Sequence, residues 1–397
     1  MESVLAAVPV LLLIAAVAVL MSLPAYSAES AGTSGADFLE LGIGSRPLSM
    51  GEAFTAEIND IAAIYYNPAG LATLKFPLLS IQHQELIVDS RLENISIAWP
   101  MYGGVLGVSN TIFWVPSFEK VDINGAAAGE VSFYNGAFTA AYAYDFEYIY
   151  AGASVKYIYQ RIDNLFVNSA AVDIGLLRGF YLYSPFDSPA KNFHLGLSFL
   201  NLGTGAMDDP LPRMMRFGFS YKLTKWFGIN TDLTENFIHL SDMYDFTHGF
   251  NESFRVNTGV EFSYLDLLYL RGGYRFNDAG GYTLGLGFNY VTGRVAFIVD
   301  TSYVDSGVFG PTYSFNVTFK LISEVITVER LSAGDNYYKE GIKFFIADDL
   351  ENALASFEKC REYNPYHKNI DKKISDIKEI LELRERSRQL DDKLKKK

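Results

Sequence analysis

The chain has 397 residues, 49% hydrophobic and 15% aromatic, with 33 glycines, one cysteine and a formal net charge of −13. So many Tyr and Phe exclude a disordered chain, the acidity argues against a nucleic-acid partner, and one Cys excludes an internal disulfide or multi-cysteine metal cluster. Charge is unevenly spread: residues 325–397 hold 31 of the 79 charged residues but 2 of the 33 glycines. A Gly-rich, sparsely charged part is therefore joined to a charged tail.

Val4 to Leu23 is an almost unbroken apolar run, followed by Pro24-Ala25-Tyr26-Ser27. The small residues at 25 and 27 suit a signal-peptidase cut after Ser27, which makes residues 1–27 a signal peptide. Glu2 is unusual in an n-region, and the run is long enough to span a bilayer, so an uncleaved anchor and a core helix are the alternatives. No Cys lies near the cut, which excludes a lipidated N-terminus.

Residues 41–72 show neither strand periodicity nor a long helical pattern. Ser49 and Glu52 have capping-box spacing, and Asn67-Pro68 puts a cap acceptor before a proline at the first helical position. The local expectation is three short capped turns, too small to fold alone and in need of a cavity.

From Leu78 to Leu321 the dominant period is two. In Tyr282 to Tyr290 one face reads Tyr, Leu, Leu, Phe, Tyr and the other Thr, Gly, Gly, Asn. Arg213 to Lys222, Phe254 to Tyr264 and Tyr313 to Leu321 repeat the pattern. Such alternation also suits a soluble sheet with one wet face. Aromatics near strand ends and segments of roughly ten residues favour a membrane barrel. About fourteen strands are predicted, near 78–87, 91–99, 103–115, 130–145, 148–160, 168–179, 192–203, 213–223, 226–237, 253–264, 267–276, 281–291, 294–304 and 312–322. Most even-to-odd links are tight, whereas Pro116–Gly129, Thr204–Pro212, Ile238–Glu252 and Asp305–Pro311 are longer, as expected for short periplasmic turns and longer outside loops. Phe180–Lys191 breaks that rule. The fold class is thus an all-β transmembrane barrel of about fourteen antiparallel strands (78–322), preceded by residues 28–77 and followed by a small α-helical C-terminal domain (323–397).

The inward face is expected to carry Arg216, Lys222, Arg255, Arg271, Arg275 and Arg294 with Asp173, Asp232, Glu261 and Asp300. Two readings stand side by side. The charges form an ion-pair lattice such as any polar barrel interior contains, or Arg271 and Arg275, with Arg255 and Arg216, bind a ligand carboxylate. The five histidines (His83, His194, His239, His248, His367) lack metal-site spacing, and no phosphate loop, GxSxG or paired carboxylate motif occurs. Neither enzyme chemistry nor a cofactor or metal is expected.

Gly334 to His367 has the spacing of a tetratricopeptide repeat at Tyr337, Gly341, Phe344, Ala353, Phe357 and Pro365. Cys360 falls where a small core residue belongs, a reactive thiol being the alternative. Residues 370–397 continue as a charged helix ending in a solvated Lys tail. One repeat cannot bury its hydrophobic face alone, so the hairpin needs the third helix, the barrel rim or a periplasmic partner protein.

Gly44, Arg46, Leu48, Met50, Gly51, Ala53, Phe54, Ala56, Asp60, Ala63, Tyr65, Asn67, Pro68, Ala69, Gly70, Leu71 and Ala72 together resemble the N-terminal signature of the PorV/PorQ-like barrels, within the FadL-type long-chain fatty-acid transporter superfamily. Asn59 stands for the first of a usual Asp pair, tolerable because Asn caps as well as Asp, and Glu52 stands for a usual Gly. The resemblance implies a hatch at residues 28–77 plugging the lumen from the periplasmic side. It also implies a third strand kinked at Gly103, Gly104 and Gly107 to make a lateral exit. The implied place is the outer membrane of a diderm bacterium, in contact with its lipid, with the C-terminal domain in the periplasm. The implied function is passive uptake of a hydrophobic small molecule such as a long-chain fatty acid; the alternative is a PorV-like shuttle that binds secreted or periplasmic proteins.

Overall fold

A strand that alternates apolar with small or polar residues has one face for lipid and one for the interior, and fourteen such strands pair into a ring. In a computed structural model of the chain they form a closed up-and-down antiparallel barrel. The structure describes residues 35–395 apart from 102, 185, 187, 189–190, 204, 206–208, 238–253, 277–280, 323–327, 365–366 and 368–369. The strands are β1 (Leu78–Glu85), β2 (Arg91–Met101), β3 (Gly104–Val121), β4 (Ala127–Asp145), β5 (Tyr150–Ile162), β6 (Leu165–Phe180) and β7 (Phe193–Gly203), then β8 (Arg213–Lys222), β9 (Phe227–Phe237), β10 (Phe254–Tyr264), β11 (Leu268–Phe276), β12 (Tyr282–Thr292), β13 (Val295–Asp305) and β14 (Pro311–Leu321). β14 pairs with β1, from Leu78 opposite Lys320 to Glu85 opposite Tyr313, so no edge is left. A medium without hydrogen-bonding partners requires that closure.

The faces are as the alternation predicts. On β12 Leu284 and Leu286 are exposed on the outside, while Thr283 is buried within. Outward Trp99, Trp226, Tyr264 and Tyr290 ring the end with the short turns, and near the other end Tyr303 stacks on Tyr282 at 5.8 Å and meets Tyr313 edge to face at 5.7 Å between centroids. These are the two aromatic girdles of a barrel that spans a bilayer.

Three expectations change. Pro116–Gly129 is not a loop: β3 and β4 run on as a hairpin whose turn is closed by the Asp122 carboxylate, which accepts the Asn124 and Ala126 N–H groups at 2.8 and 2.9 Å. Gly103 lies in the turn before β3, at φ 79°, and Gly104 and Gly107 do not break the ladder, since β3 stays in register with β2 from Gly104 to Trp114 and with β4 from Gly104 to Val115. Its first register shift lies between Val115 and Phe118, where Pro116 offers no N–H to the ladder. Arg294 lies in the exposed turn between β12 and β13 and does not face the lumen. The exceptional 181–192 link is fastened to its neighbours: Asn192 exchanges hydrogen bonds with the Leu182 backbone, and Ser184 donates to the Leu223 carbonyl. The Ile238–Glu252 loop and the signal-peptide segment lie outside the described residues.

Residues 322–397 form a separate compact unit. Helices α3 (Val328–Ile346) and α4 (Leu350–Tyr363) pack as a hairpin, with Gly341 where an added Cβ would lie 2.7 Å from the Phe357 ring. Ala353 and Phe357 are fully buried, Tyr337 and Phe344 line the same core, and Pro365 lies outside the described residues. The third helix, α5 (Ile370–Lys395), completes that core with Ile370, Ile374 and Ile377. Cys360 sits at its centre; burial, with Asp335 nearby, pushes its thiol up to about 11. Because the thiolate is the reactive form, maleimide labelling of the folded protein at pH 7.5 is expected to run roughly 100-fold slower than labelling of free cysteine. Rapid labelling without unfolding would contradict the core assignment.

Candidate functional site

The N-terminal segment occupies the barrel interior. Its first turn, Asp37–Glu40, is anchored by Gly35 N–H donating to the Pro210 carbonyl. Helix α1 (Ser45–Ser49) follows, then a reversal at Gly51 and Glu52, which have φ of 65° and 63°. The expected capping box is therefore absent. Ser49 ends a helix rather than starting one, its hydroxyl donating to the Arg46 carbonyl at 2.7 Å. Glu52, where the resembling family has Gly, holds a left-handed backbone that an L side chain adopts at a cost. Asn59 also turns left-handed, at φ 61°, and Asp60 accepts the Ala62 N–H in the turn ahead of the next helix, whose own N-cap, Ala62, has no side-chain bond. Helix α2 (Ala63–Tyr66) leads into a turn at Pro68–Thr73 that Asn67 caps as predicted, its side chain accepting from Ala69 N–H. The Asn67 amide also donates to the carbonyls of Thr55 and Leu176, tying segment to wall.

Buried ions make the clamp. Arg46 meets Glu57 and Asp60 of its own segment at 3.1 Å and Glu261 of β10 at 2.7 Å. Glu261 also accepts from Arg271 at 2.7 Å, and Arg271 reaches Asp300 of β13 at 2.7 Å. On the other side Glu57 faces Lys222 at 3.3 Å and accepts from Ser220 and Asn230. Asp232 of β9 accepts the N–H groups of Phe54 and Thr55 and the Thr55 hydroxyl, the last at 2.6 Å, and pairs with Arg216. Hydrogen bonds to an ionised acceptor are the strong ones. Arg275 pairs with Glu52 at 3.4 Å and Arg255 with Glu40 at 3.1 Å.

Glycines of the wall make room for this segment. Built Cβ atoms at Gly152, Gly175, Gly196, Gly259, Gly273 and Gly285 would lie 2.0–2.5 Å from its atoms. The segment thus rests against bare strand backbone on β5, β6, β7, β10, β11 and β12. Beyond that belt the inner wall is apolar where Phe113, Ala137, Ile158 and Ala171 meet Leu211, and Phe38, Leu39 and Leu41 cover the patch. Barrel interiors are ordinarily polar, so a buried apolar site here is unusual.

The signature residues Arg46, Met50, Gly51, Asn59, Asp60, Asn67, Pro68, Ala69 and Gly70 come together in one luminal body. Arg216, Arg255, Arg271 and Arg275 each face a carboxylate of the chain itself. Sequence reasoning placed no weight on Glu57, on Lys156, which pairs with buried Asp173 at 3.0 Å, or on the apolar patch. Glycine at alternate inward strand positions was the legible signal for the belt.

The fold resembles that of known channels. Over 71% of this chain and 99% of the other it matches the TodX monoaromatic hydrocarbon channel, in a deltaS2 mutant, with a TM-score of 0.50 and 10% identity. The CymD monoaromatic hydrocarbon channel is matched over 71% and 98%, with a TM-score of 0.48 and 12% identity. At such identities the likeness is one of fold. The UPF0164 protein of Treponema pallidum (strain Nichols) is 26% identical over 197 residues, 45% of this chain, and the match spans about half that relative's length, 46%. The pattern of the uncharacterised protein family UPF0164 matches residues 14–319, and the chain belongs to that family.

Proposed function

We propose that this protein is a FadL-type outer-membrane channel for small hydrophobic molecules, long-chain fatty acids among them, gated by residues 28–77 as a hatch. One observation carries the reading: the apolar luminal patch of Phe113, Ala137, Ile158, Ala171 and Leu211 is covered by Phe38 and Leu39 of the luminal segment rather than by wall residues. A hydrophobic solute that displaced those two side chains would bury its own apolar surface in their place, at about 25 cal/mol per Å². The paired luminal arginines favour the lattice reading of the inward charges over a head-group site, because each ligand carboxylate would have to displace a resident one. β14 ends at the short-turn end, so the helical unit, read as tetratricopeptide-like, is assigned to the periplasm.

The test locks the hatch. The Ser45 and Ser314 hydroxyls lie 2.6 Å apart, close enough for a Ser45→Cys, Ser314→Cys pair to bridge. In a diderm host lacking its own fatty-acid transporter, uptake of labelled oleate is expected to exceed background at least ~10-fold with the reduced pair and to fall to background on oxidation. Equal uptake in both states sinks the hatch; no uptake in either sinks the substrate class.

A further inference from the structure

The outer wall holds a second site, independent of what crosses the lumen. A cavity of about 710 Å³ opens on the outward face of β3–β6, lined by Ile112, Trp114, Tyr134, Tyr159, Arg161 and Phe166. That volume is within the range of small-molecule sites. The register explains it. Arg91, Trp114, Tyr134, Arg161 and Phe166 are successive cross-strand partners and form one row across the strands. The row below reads Glu93, Ile112, Gly136, Tyr159 and Asn168. Gly136 makes the floor, for a Cβ there would lie 2.6 Å from the Tyr159 ring. One row lower still, Ile95, Phe138 and Tyr157 are exposed members of the lipid-facing belt.

Arg161 lies about eleven residues along β5 from Tyr150, roughly 28 Å above the short turns at the usual strand tilt. Counted from the short-turn girdle, a hydrocarbon layer of about 25–30 Å puts the Arg161 guanidinium at the opposite head-group level. The guanidinium stacks on Phe166 at 5.2 Å, and its Nε donates to the Asp163 carbonyl. Arg91 stacks on Trp114 at 5.2 Å. Among the described residues neither has a carboxylate within ion-pair distance, in contrast to Arg46, Arg216, Arg255, Arg271 and Arg275. The one acid in the lining, Glu93, is engaged by His83 Nδ1 at 2.7 Å.

We propose that this groove binds one anionic phospholipid of the surrounding membrane. Its phosphate sits on Arg161, an acyl chain lies over Ile112, Gly136 and Tyr159, and Arg91 adds positive potential along the row. Aromatic side chains beside a guanidinium that has no carboxylate partner among the described residues supply both halves of an amphiphile's recognition.

The full-length protein, reconstituted in nanodiscs of one part phosphatidylglycerol to nine parts phosphatidylcholine and then extracted into detergent, is to be examined by native mass spectrometry. One phosphatidylglycerol per chain is the expected retained lipid. Arg161→Ala and Gly136→Leu are expected to lower its retention about 10-fold, and Arg161→Lys about 2-fold. Heat-modifiable migration on gels checks that each variant has folded. Equal retention by the wild type and Arg161→Ala would mean annular lipid only and overturn the site. Preferential retention of oleate, when both are supplied, would assign the groove to free carboxylates and overturn the phospholipid.

Discussion

Replacement of Arg46 by Ala is expected to release the luminal segment while leaving the barrel closed. The side chain is 14% exposed and faces three carboxylates, two on the segment and one on β10. Without the cation, Glu57 and Glu261 are left crowded and poorly solvated, and removal of one partner from a buried pair costs about 3–5 kcal/mol. Lys222 and Arg271 still face them, which keeps the loss toward the lower end of that range. The strands themselves lose no ladder hydrogen bond, so heat-modifiable migration should persist. Protease cleavage within residues 50–70 should appear, and single-channel conductance in planar bilayers should rise. Arg46→Lys is expected to restore little, because an ammonium cannot reach three acceptors with the planar fork of a guanidinium. An Arg46→Ala protein with unchanged conductance and cleavage pattern would show that the ion cluster does not hold the segment.

Gly196→Ala tests the same seat by volume rather than charge. Its new Cβ would lie 2.3 Å from the Thr55 carbonyl oxygen, and that oxygen is backbone, so no rotamer can move it aside. Thr55 must shift, and it carries three attachments: two hydrogen bonds to Asp232 and the Asn67 amide on its carbonyl. Overpacking of this kind costs about 1–3 kcal/mol, and the shared attachments place this case at the upper end. Gly272→Ala is the control. It faces outward on β11 with its nearest neighbours at 3.8 Å, and is expected to change the thermal midpoint of the barrel by no more than a surface substitution does. If both variants melt together with the wild type, the glycine belt is compositional accident rather than clearance for the segment.

The helical unit shows why some features were readable and others were not. Tyr337, Gly341, Ala353 and Phe357 have a fixed spacing because two helices joined by a short turn bring them together whatever else the chain does. Partners so close in sequence leave a pattern. The inward arginines have no such local partner. Arg46 and Glu261 are 215 positions apart, and Glu52 and Arg275 are 223 apart. The sequence could place each on an inward face, yet their pairing follows from where the segment sits in the ring. The Ser49–Glu52 spacing misled for the opposite reason: it matched a local rule, but Gly51 and Glu52 turn left-handed against β10 and β11.

Strand number, strand faces and the luminal signature were decided by the sequence itself. A period of two is set by strand geometry alone, and an apolar face ten residues long has few places to go but lipid. The extent of the β3–β4 hairpin, the carboxylate met by each luminal arginine and the glycines that face the segment were decided only on closure. So was the row that joins Arg91, Trp114, Tyr134 and Arg161. Register between strands far apart in the chain sets all of these, and no local pattern of residues encodes it.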